Sequence, residues 1–278
     1  MGLGGYLMWT AVAREISNHT NLKILPIESH DPIIKMIESE VFHNNPYFIQ
    51  PGEKFEYAFP LVLNNPQANY CKEDTPEKAT HRYDKHVIGQ ICEVYGIQDP
   101  SLKCDLFLTD QELSSVNDTL LSVVKDDYIV IEPCSKTNYT LNRLYPFEKW
   151  QNIVNKLSEF ITIVQIGQKT ENILENCINL TGSTTFREAA GIIQNAQMFI
   201  GSEGGLMHVA NAMSTRSLIV ITGYQSPKMT CYPDNINMWI NNNHGPCGLK
   251  GRCKDCYMAT NNHNPQEIID IIIRELSL

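Results

Sequence analysis

The stretch GSEGGLMHVANAM (201–213) follows the apolar run AQMFI (196–200) without a break. The run reads as a buried strand, and LMHVANAM has the spacing of a helix. Between them lie Gly201, Gly204 and Gly205, with Glu203 among them. The start of a helix carries unpaired N–H groups and about half a positive charge. Glycines there let an anion approach those amides closely. Gly204 and Gly205 are therefore candidate phosphate contacts, Glu203 is a candidate acceptor for a ligand hydroxyl or amide, and His208 lies one turn into the helix. The alternative is a tight strand-to-helix turn with a buried histidine satisfied inside the fold.

Outward from this turn the chain alternates short apolar runs with helical stretches, the pattern of α/β layering. In the second half the expected strands are YIVIEPC (128–134), ITIVQIG (161–167), QMFIG (197–201) and SLIVITG (217–223). The expected helices are PFEKWQNIVNKLSEF (146–160), TTFREAAGIIQNA (184–196), GLMHVANAM (205–213) and PQEIIDIIIREL (265–276). In the first half, helices are expected over 7–18, 31–40 and 86–97, and a strand over 21–27. Residues 102–124 read as a short strand running into a helix capped by Thr109 or Asp110. Residues 44–80, rich in Asn and Pro, read as irregular. The tract KDD (125–127) is the expected boundary between two units with a cleft between them. Such parallel sheets are buried on both faces and bind ligands beyond the carboxyl ends of their strands.

Composition narrows the function. The 278 residues hold 42% hydrophobic and 19% charged residues, a globular balance. The net charge of −9 argues against nucleic acid as a general partner. No run of 18 or more apolar residues occurs, and the start lacks the features of a signal peptide. The nine cysteines then read as reduced thiols of a cytoplasmic protein, with a peripheral membrane association left open. Cys231, Cys247, Cys253 and Cys256, spaced C-x15-C-x5-C-x2-C, form a candidate tetrahedral site for structural zinc or iron. Unligated thiols and disulfides are the alternatives.

Two further segments offer anion contacts. GLGGYL (2–7) reads as a second glycine loop before a helix, through Gly4 and Gly5, although it lacks the third glycine of a dinucleotide fingerprint. EPCSKTNYTLNRLYPFEKW (132–150) supplies Ser135, Lys136, Thr137 and Arg143, donors suited to a diphosphate. Gly167 and Gln168, where the strand 161–167 ends, join this set. An ordinary solvated loop explains the same polar residues.

Taken in order, these segments resemble glycosyltransferase family 9, which includes the ADP-heptose:lipopolysaccharide heptosyltransferases. GLGGYLMWTA (2–11) is similar to the family's GxGDxLxxTP, and PCSK…RLYPFEKW to its central P-x-x-(S/T)…(K/R)-x-W-P-x-x-x-W. NLTGSTTFREAA (179–190) and SEGGLMHVANA (202–212) resemble its N-L-T-G…E-x-A and D-(S/T)-G-x-x-H-x-A-x-A blocks. The resemblance implies a GT-B fold: two Rossmann-like domains facing across a cleft. Residues 1–124 would form the acceptor side, shortened and with its first strand missing or lying upstream. Residues 128–264 would hold the nucleotide-sugar, and the final helix, 265–278, would pack back on the first domain.

The resemblance also implies inverting, metal-independent transfer from an ADP-, GDP- or UDP-sugar to a glycan, lipopolysaccharide or protein hydroxyl. Ser135, Lys136 and Arg143 become diphosphate contacts, with Glu203 where the family has Asp. The family's catalytic Asp falls at Gly5, which cannot accept a proton. Glu28, Asp84, His86 and His81 are the candidate replacements. A GT-B protein that binds a nucleotide-sugar or a partner without turnover is the second expectation, and hydrolysis or epimerisation of the sugar nucleotide a third.

Overall fold

The computed structural model describes residues 2–278 except 29–34, 64, 69–70, 122, 125, 134–138 and 242–243. Helix α1 (Leu3–Thr20) opens the chain and stops at Asn21, whose left-handed backbone (φ 57°) donates its N–H to Ser17 O. The glycines expected in a loop therefore lie in the first turn of a helix. Strand β1 (Ile24–Ile27) pairs in parallel with β2 (Phe59–Val62). Strands β3 (Cys71–Asp74) and β4 (Ala79–His81) form an antiparallel hairpin. Helices α2 (Val87–Val94) and α3 (Asp110–Leu121) follow.

Three expectations for this half are corrected. The Asn- and Pro-rich segment 44–80 contains β2, β3 and β4, because those residues mark turns between short strands. In the segment expected as a helix over 31–40, residues 31–34 lie outside the described set. Residues 35–40 are not helical, and Met36 bridges antiparallel to Ile27. The segment after residue 102 joins no sheet. Its amides are taken by side chains instead: Cys104 N–H donates to Asn211 Oδ1 (2.7 Å) and Asp105 N–H to Thr10 Oγ1 (2.8 Å).

From residue 128 the expected alternation holds. The elements are β5 (Tyr128–Glu132), α4 (Phe147–Leu157), β6 (Thr162–Gln165), β7 (Ile178–Asn179), α5 (Phe186–Gln194), β8 (Met198–Ser202), α6 (Gly205–Met213) and β9 (Ser217–Thr222). Sequence reading missed the next three: α7 (Pro227–Thr230), β10 (Ile236–Ile240) and α8 (Lys254–Asn262); α9 (Gln266–Leu276) closes the chain. Helix α5 starts on a capping box, with Thr185 Oγ1 accepting from Glu188 N–H and the Glu188 carboxylate accepting from Thr185 N–H. Strands β8 and β9 are buried at every position, as strands covered on both faces must be.

The six strands lie in the order β10-β9-β8-β5-β6-β7, all parallel. The chain leaves β5 for β6 and β7 on one side, then returns to β8 on the other. Open α/β sheets form their ligand crevice where consecutive connections part to opposite sides, which here is at the carboxyl ends of β5 and β8.

One apolar cluster lies on each side of this sheet. The larger joins Leu7, Val12 and Ile16 of α1 and Ile88 of α2 to Val130, Ile193, Met207 and Ala210, so both halves of the chain share it. Arg187 of α5 reinforces the junction, pairing with Glu112 of α3 and donating to Glu40 O (2.8 Å) and Phe107 O (2.5 Å). The second cluster draws its buried members from residues 129–272, among them Trp150 of α4 and Ile268, Ile269 and Ile272 of α9. The closing helix thus packs on α4 and the sheet, in correction of the expectation that it returns to the first half. Its apolar residues at i, i+1 and i+4 form one stripe that the α4 face covers.

Candidate functional site

Three strand ends bring the expected ligands together above the crevice. Glu132 is the last residue of β5, Gly167 follows β6, and Glu203 and Gly204 connect β8 to α6. The Glu132 carboxyl reaches both neighbours: a Cβ built on Gly167 would lie 3.6 Å from its Oε1, and one on Gly204 would lie 3.9 Å from its Oε2. Gly167 has a φ of 132°, a conformation that only glycine adopts easily. Desolvation raises the Glu132 pKa to about 8, so the group is a neutral acid at pH 7. Sequence reading passed over Glu132 because it ends an apolar run.

Arg143 comes from a short 3-10 turn, Leu141–Arg143, capped by Thr140 Oγ1. Its guanidinium pairs with the Glu203 carboxylate, and Nη2 also donates to Glu203 O (3.0 Å). Burial lowers the Arg143 pKa. Gly204 is the N-cap of α6 with extended backbone and no side-chain cap, so the first amides of the helix have no capping side chain. Ser202 Oγ, buried beneath, has no hydrogen-bond partner among the described residues. The arrangement sets one guanidinium, already paired with the Glu203 carboxylate, beside helix N–H groups and a neutral acid. Gln168 is exposed beside Gly167. Ser135, Lys136 and Thr137 lie outside the described residues.

Other expected residues take structural roles. Gly4 lies in α1 against the start of α6: a Cβ there would come within 2.9 Å of His208 Cδ2 and 3.1 Å of Gly205 Cα. Its close approach is to another helix. His208 is buried, its Nδ1 2.6 Å from Tyr232 Oη, which lies 3.0 Å from Cys104 Sγ. Burial first, then the nearby His86 and Arg143, lower its pKa to about 3. His86 caps α2 through Nδ1, which accepts from Ile88 N–H (3.2 Å), and burial lowers its pKa to about 4. Neither buried imidazole is placed as a solvent-facing base. Asp84 is exposed and paired with Arg82. His81 ends β4 as a half-buried ring. Glu28 is exposed just past β1.

The cysteine cluster is smaller than expected. Cys247, Cys253 and Cys256 place their Sγ atoms within 4.8 Å of one another, with Cys247 and Cys256 at 3.4 Å. Cys231 does not join them; it is buried beside Tyr232 in the larger apolar cluster. No disulfide forms among the described cysteines. Thiolates around a tetrahedral metal at about 2.3 Å stand about 3.8 Å apart, so this triad fits zinc or iron as three of four ligands. The hydrogen bond from Cys256 lowers the Cys247 thiol below its ordinary value, while Cys256 is raised in return. Strand β4 runs beside this loop through Ala79 N–H to Gly248 O (2.8 Å), and His81 Nδ1 is buried with no described partner.

The model of glycosyltransferase family 9 (heptosyltransferase) matches residues 86–260. That span takes in every residue of the crevice. The chain belongs to glycosyltransferase family 9. A segment of 60 residues, 22% of the chain, is 40% identical to lipooligosaccharide heptosyltransferase 2 of Haemophilus influenzae and spans 17% of that enzyme's length. The fold matches a family 9 glycosyltransferase of Veillonella parvula with a TM-score of 0.71 at 13% identity, covering 99% of this chain and 94% of that one. It also matches the dodecameric iron-containing heptosyltransferase TibC, solved with ADP-D-β-D-heptose and known from enterotoxigenic Escherichia coli. There the TM-score is 0.69 at 15% identity, over 100% of this chain and 74% of that one. The family 9 fold is thus an α/β fold with a parallel sheet matching the GT-B heptosyltransferases.

Proposed function

We propose that this family 9 protein binds a nucleotide diphosphate-sugar above β5 and β8 and transfers the sugar, with inversion, to a hydroxyl of a glycan, lipopolysaccharide or protein. The observation that carries the reading is the convergence of Arg143, Glu203 and the start of α6 at the crevice. Charge builds on the leaving diphosphate as the sugar departs. Donors fixed beforehand at that position lower the barrier without a divalent metal. Arg143 and the amides at Gly204 and Gly205 take this role, with Ser135, Lys136 and Thr137, which follow β5 in sequence, completing it. Neutral Glu132 adds no repulsion to a diphosphate and can donate a hydrogen bond to it. Residues 128–264 serve as the donor side and residues 1–124 as the acceptor side.

The acceptor hydroxyl must lose a proton, a step in which a positioned base contributes about 10²–10⁴-fold. Glu28, the exposed carboxylate just past β1, is the candidate for that base, since Gly5 stands in the family's Asp position. A second reading, nucleotide-sugar binding without turnover, is favoured by one observation: Gly5 is helical and brings no carboxylate to that turn. Adenine is the first base to test, since TibC was solved with an ADP-sugar. Cys247, Cys253 and Cys256 would hold a structural zinc or iron, cross-linking the loop 247–256 in the reducing cytoplasm.

A thermal-shift screen against ADP, GDP, UDP, CDP and their sugars tests the donor site. A ligand at 100 times its Kd adds roughly 2.7 kcal/mol. A selective shift with one diphosphate supports the reading, and no shift with any removes it. Sugar transfer from the selected donor to lipopolysaccharide or glycan acceptors then separates an enzyme from a binding protein.

A further inference from the structure

The cysteine loop and Arg143 are joined by one side chain. Asn142, buried and adjacent in sequence to Arg143, donates from Nδ2 to both Leu249 O (2.7 Å) and Gly251 O (2.7 Å). Its Oδ1 accepts from Cys253 N–H (2.9 Å), and its backbone carbonyl accepts from Thr222 Oγ1 (2.6 Å) at the end of β9. Thr140 Oγ1 adds a bond to Leu249 O (3.0 Å) while capping the Asn142 amide. Both Nδ2 hydrogens and the amide oxygen are thus used on the loop that carries Cys247, Cys253 and Cys256. Asn142 sits in the same 3-10 turn as Arg143, whose guanidinium reaches Glu203. A change in the path of residues 249–253 breaks three hydrogen bonds of the buried Asn142 side chain or moves the turn with it. Buried amide groups left unpaired are costly, so the turn follows.

We propose that Asn142 is a positioning residue that links the cysteine loop to Arg143, so that the conformation of this loop sets diphosphate affinity and a bound diphosphate in turn holds the loop. The linkage rests on the donor-site reading above, and it is reciprocal by thermodynamic necessity. Arg143 touches the ligand; Asn142 acts only through it.

The test uses ADP as probe and two readouts on the full chain. The first is ADP affinity by calorimetry, and the second is the rate at which iodoacetamide alkylates each of Cys247, Cys253 and Cys256, read by peptide mass spectrometry. ADP is expected to slow alkylation of the triad at least threefold in the parent protein and to have no such effect in Asn142→Ala. Asn142→Ala is expected to weaken ADP about tenfold when Arg143 is present and to add nothing in an Arg143→Ala background, a pattern that general loosening of the fold does not give. If Asn142→Ala does not fold, Thr140→Ala, which removes one bond to Leu249 O and the cap on Asn142, is expected to show the same pattern at smaller size. ADP binding that leaves alkylation unchanged, or full affinity in a folded Asn142→Ala, overturns the proposal. A parent protein that binds none of ADP, GDP, UDP or CDP overturns the donor-site reading itself, and this linkage with it.

Discussion

Arg143 Nη2 donates to the backbone oxygen of Glu203 at 3.0 Å while the same guanidinium faces the Glu203 carboxylate. The arginine is thereby held at the end of β8 before any anion arrives. A charge-assisted hydrogen bond contributes about 1.5–3 kcal/mol, so Arg143→Ala should weaken nucleotide diphosphate binding by roughly 10- to 150-fold. It should also lower stability, because Glu203 is left buried without its cation. The double variant Arg143→Met with Glu203→Gln should recover stability and leave binding weak. Calorimetric titration and melting curves on the same samples separate the two effects.

Helix α1 crosses α6 at Gly4, where a methyl group would meet Gly205 Cα at 3.1 Å and His208 Cδ2 at 2.9 Å. Backbone cannot yield as a flexible side chain can, so Gly4→Ala should cost about 1–3 kcal/mol. Nothing lies within 4 Å of a Cβ on Gly2, two residues earlier. Gly2→Ala should therefore change stability by about 0.5 kcal/mol or less. Equal denaturation midpoints for the two variants would contradict this account of the motif.

Glu132 makes the stability of the fold depend on pH. Its pKa is raised to about 8 in the folded chain against the ordinary value of 4.5. Between these values the native state keeps a proton that the unfolded chain releases. Stability is therefore full below about pH 4.5 and falls as pH climbs toward 8. Glu132→Gln cannot ionise, so its melting temperature should gain on the parent's steadily from pH 5 to pH 8. A constant difference across that range would mean that Glu132 is ionised throughout.

Metal content distinguishes the cysteines. Cys247→Ser, Cys253→Ser and Cys256→Ser should each lower bound zinc or iron, measured by plasma mass spectrometry on protein purified in reducing buffer. Cys231→Ser should leave it unchanged, because its thiol lies outside the triad. Chelation should lower the melting temperature of the parent and have less effect on the three triad variants. A parent protein with no zinc or iron under these conditions argues for plain thiols.

The second half of the fold was readable because its strands are covered on both faces. YIVIE, MFIGS and SLIVIT are nearly unbroken apolar runs, and no other element accommodates them at that length. Residues 31–40 misled because DPIIKMIESE has helical spacing while Met36 pairs with Ile27, a contact set by the neighbouring strand. LKCDLFL has the pattern of a strand, but its amides found Asn211 and Thr10, far away in sequence. The meeting of strand ends was partly legible through Arg143 and the glycines. Glu132 was not, since its place depends on the strand order, and nothing local in a sequence states which strands will be neighbours. His86 and His208 carry the right chemistry for proton transfer, and only burial reveals that they are used to hold helices.

The shared apolar cluster has a consequence for how the chain is made. Leu7 and Val12 of α1 share a cluster with Met207 and Ala210, some two hundred residues later. Ribosomes add roughly 5–20 residues per second. The part of the first helix that meets α6 therefore waits on the order of ten to forty seconds for its partner. The N-terminal half cannot reach its final packing until α5 and α6 have emerged.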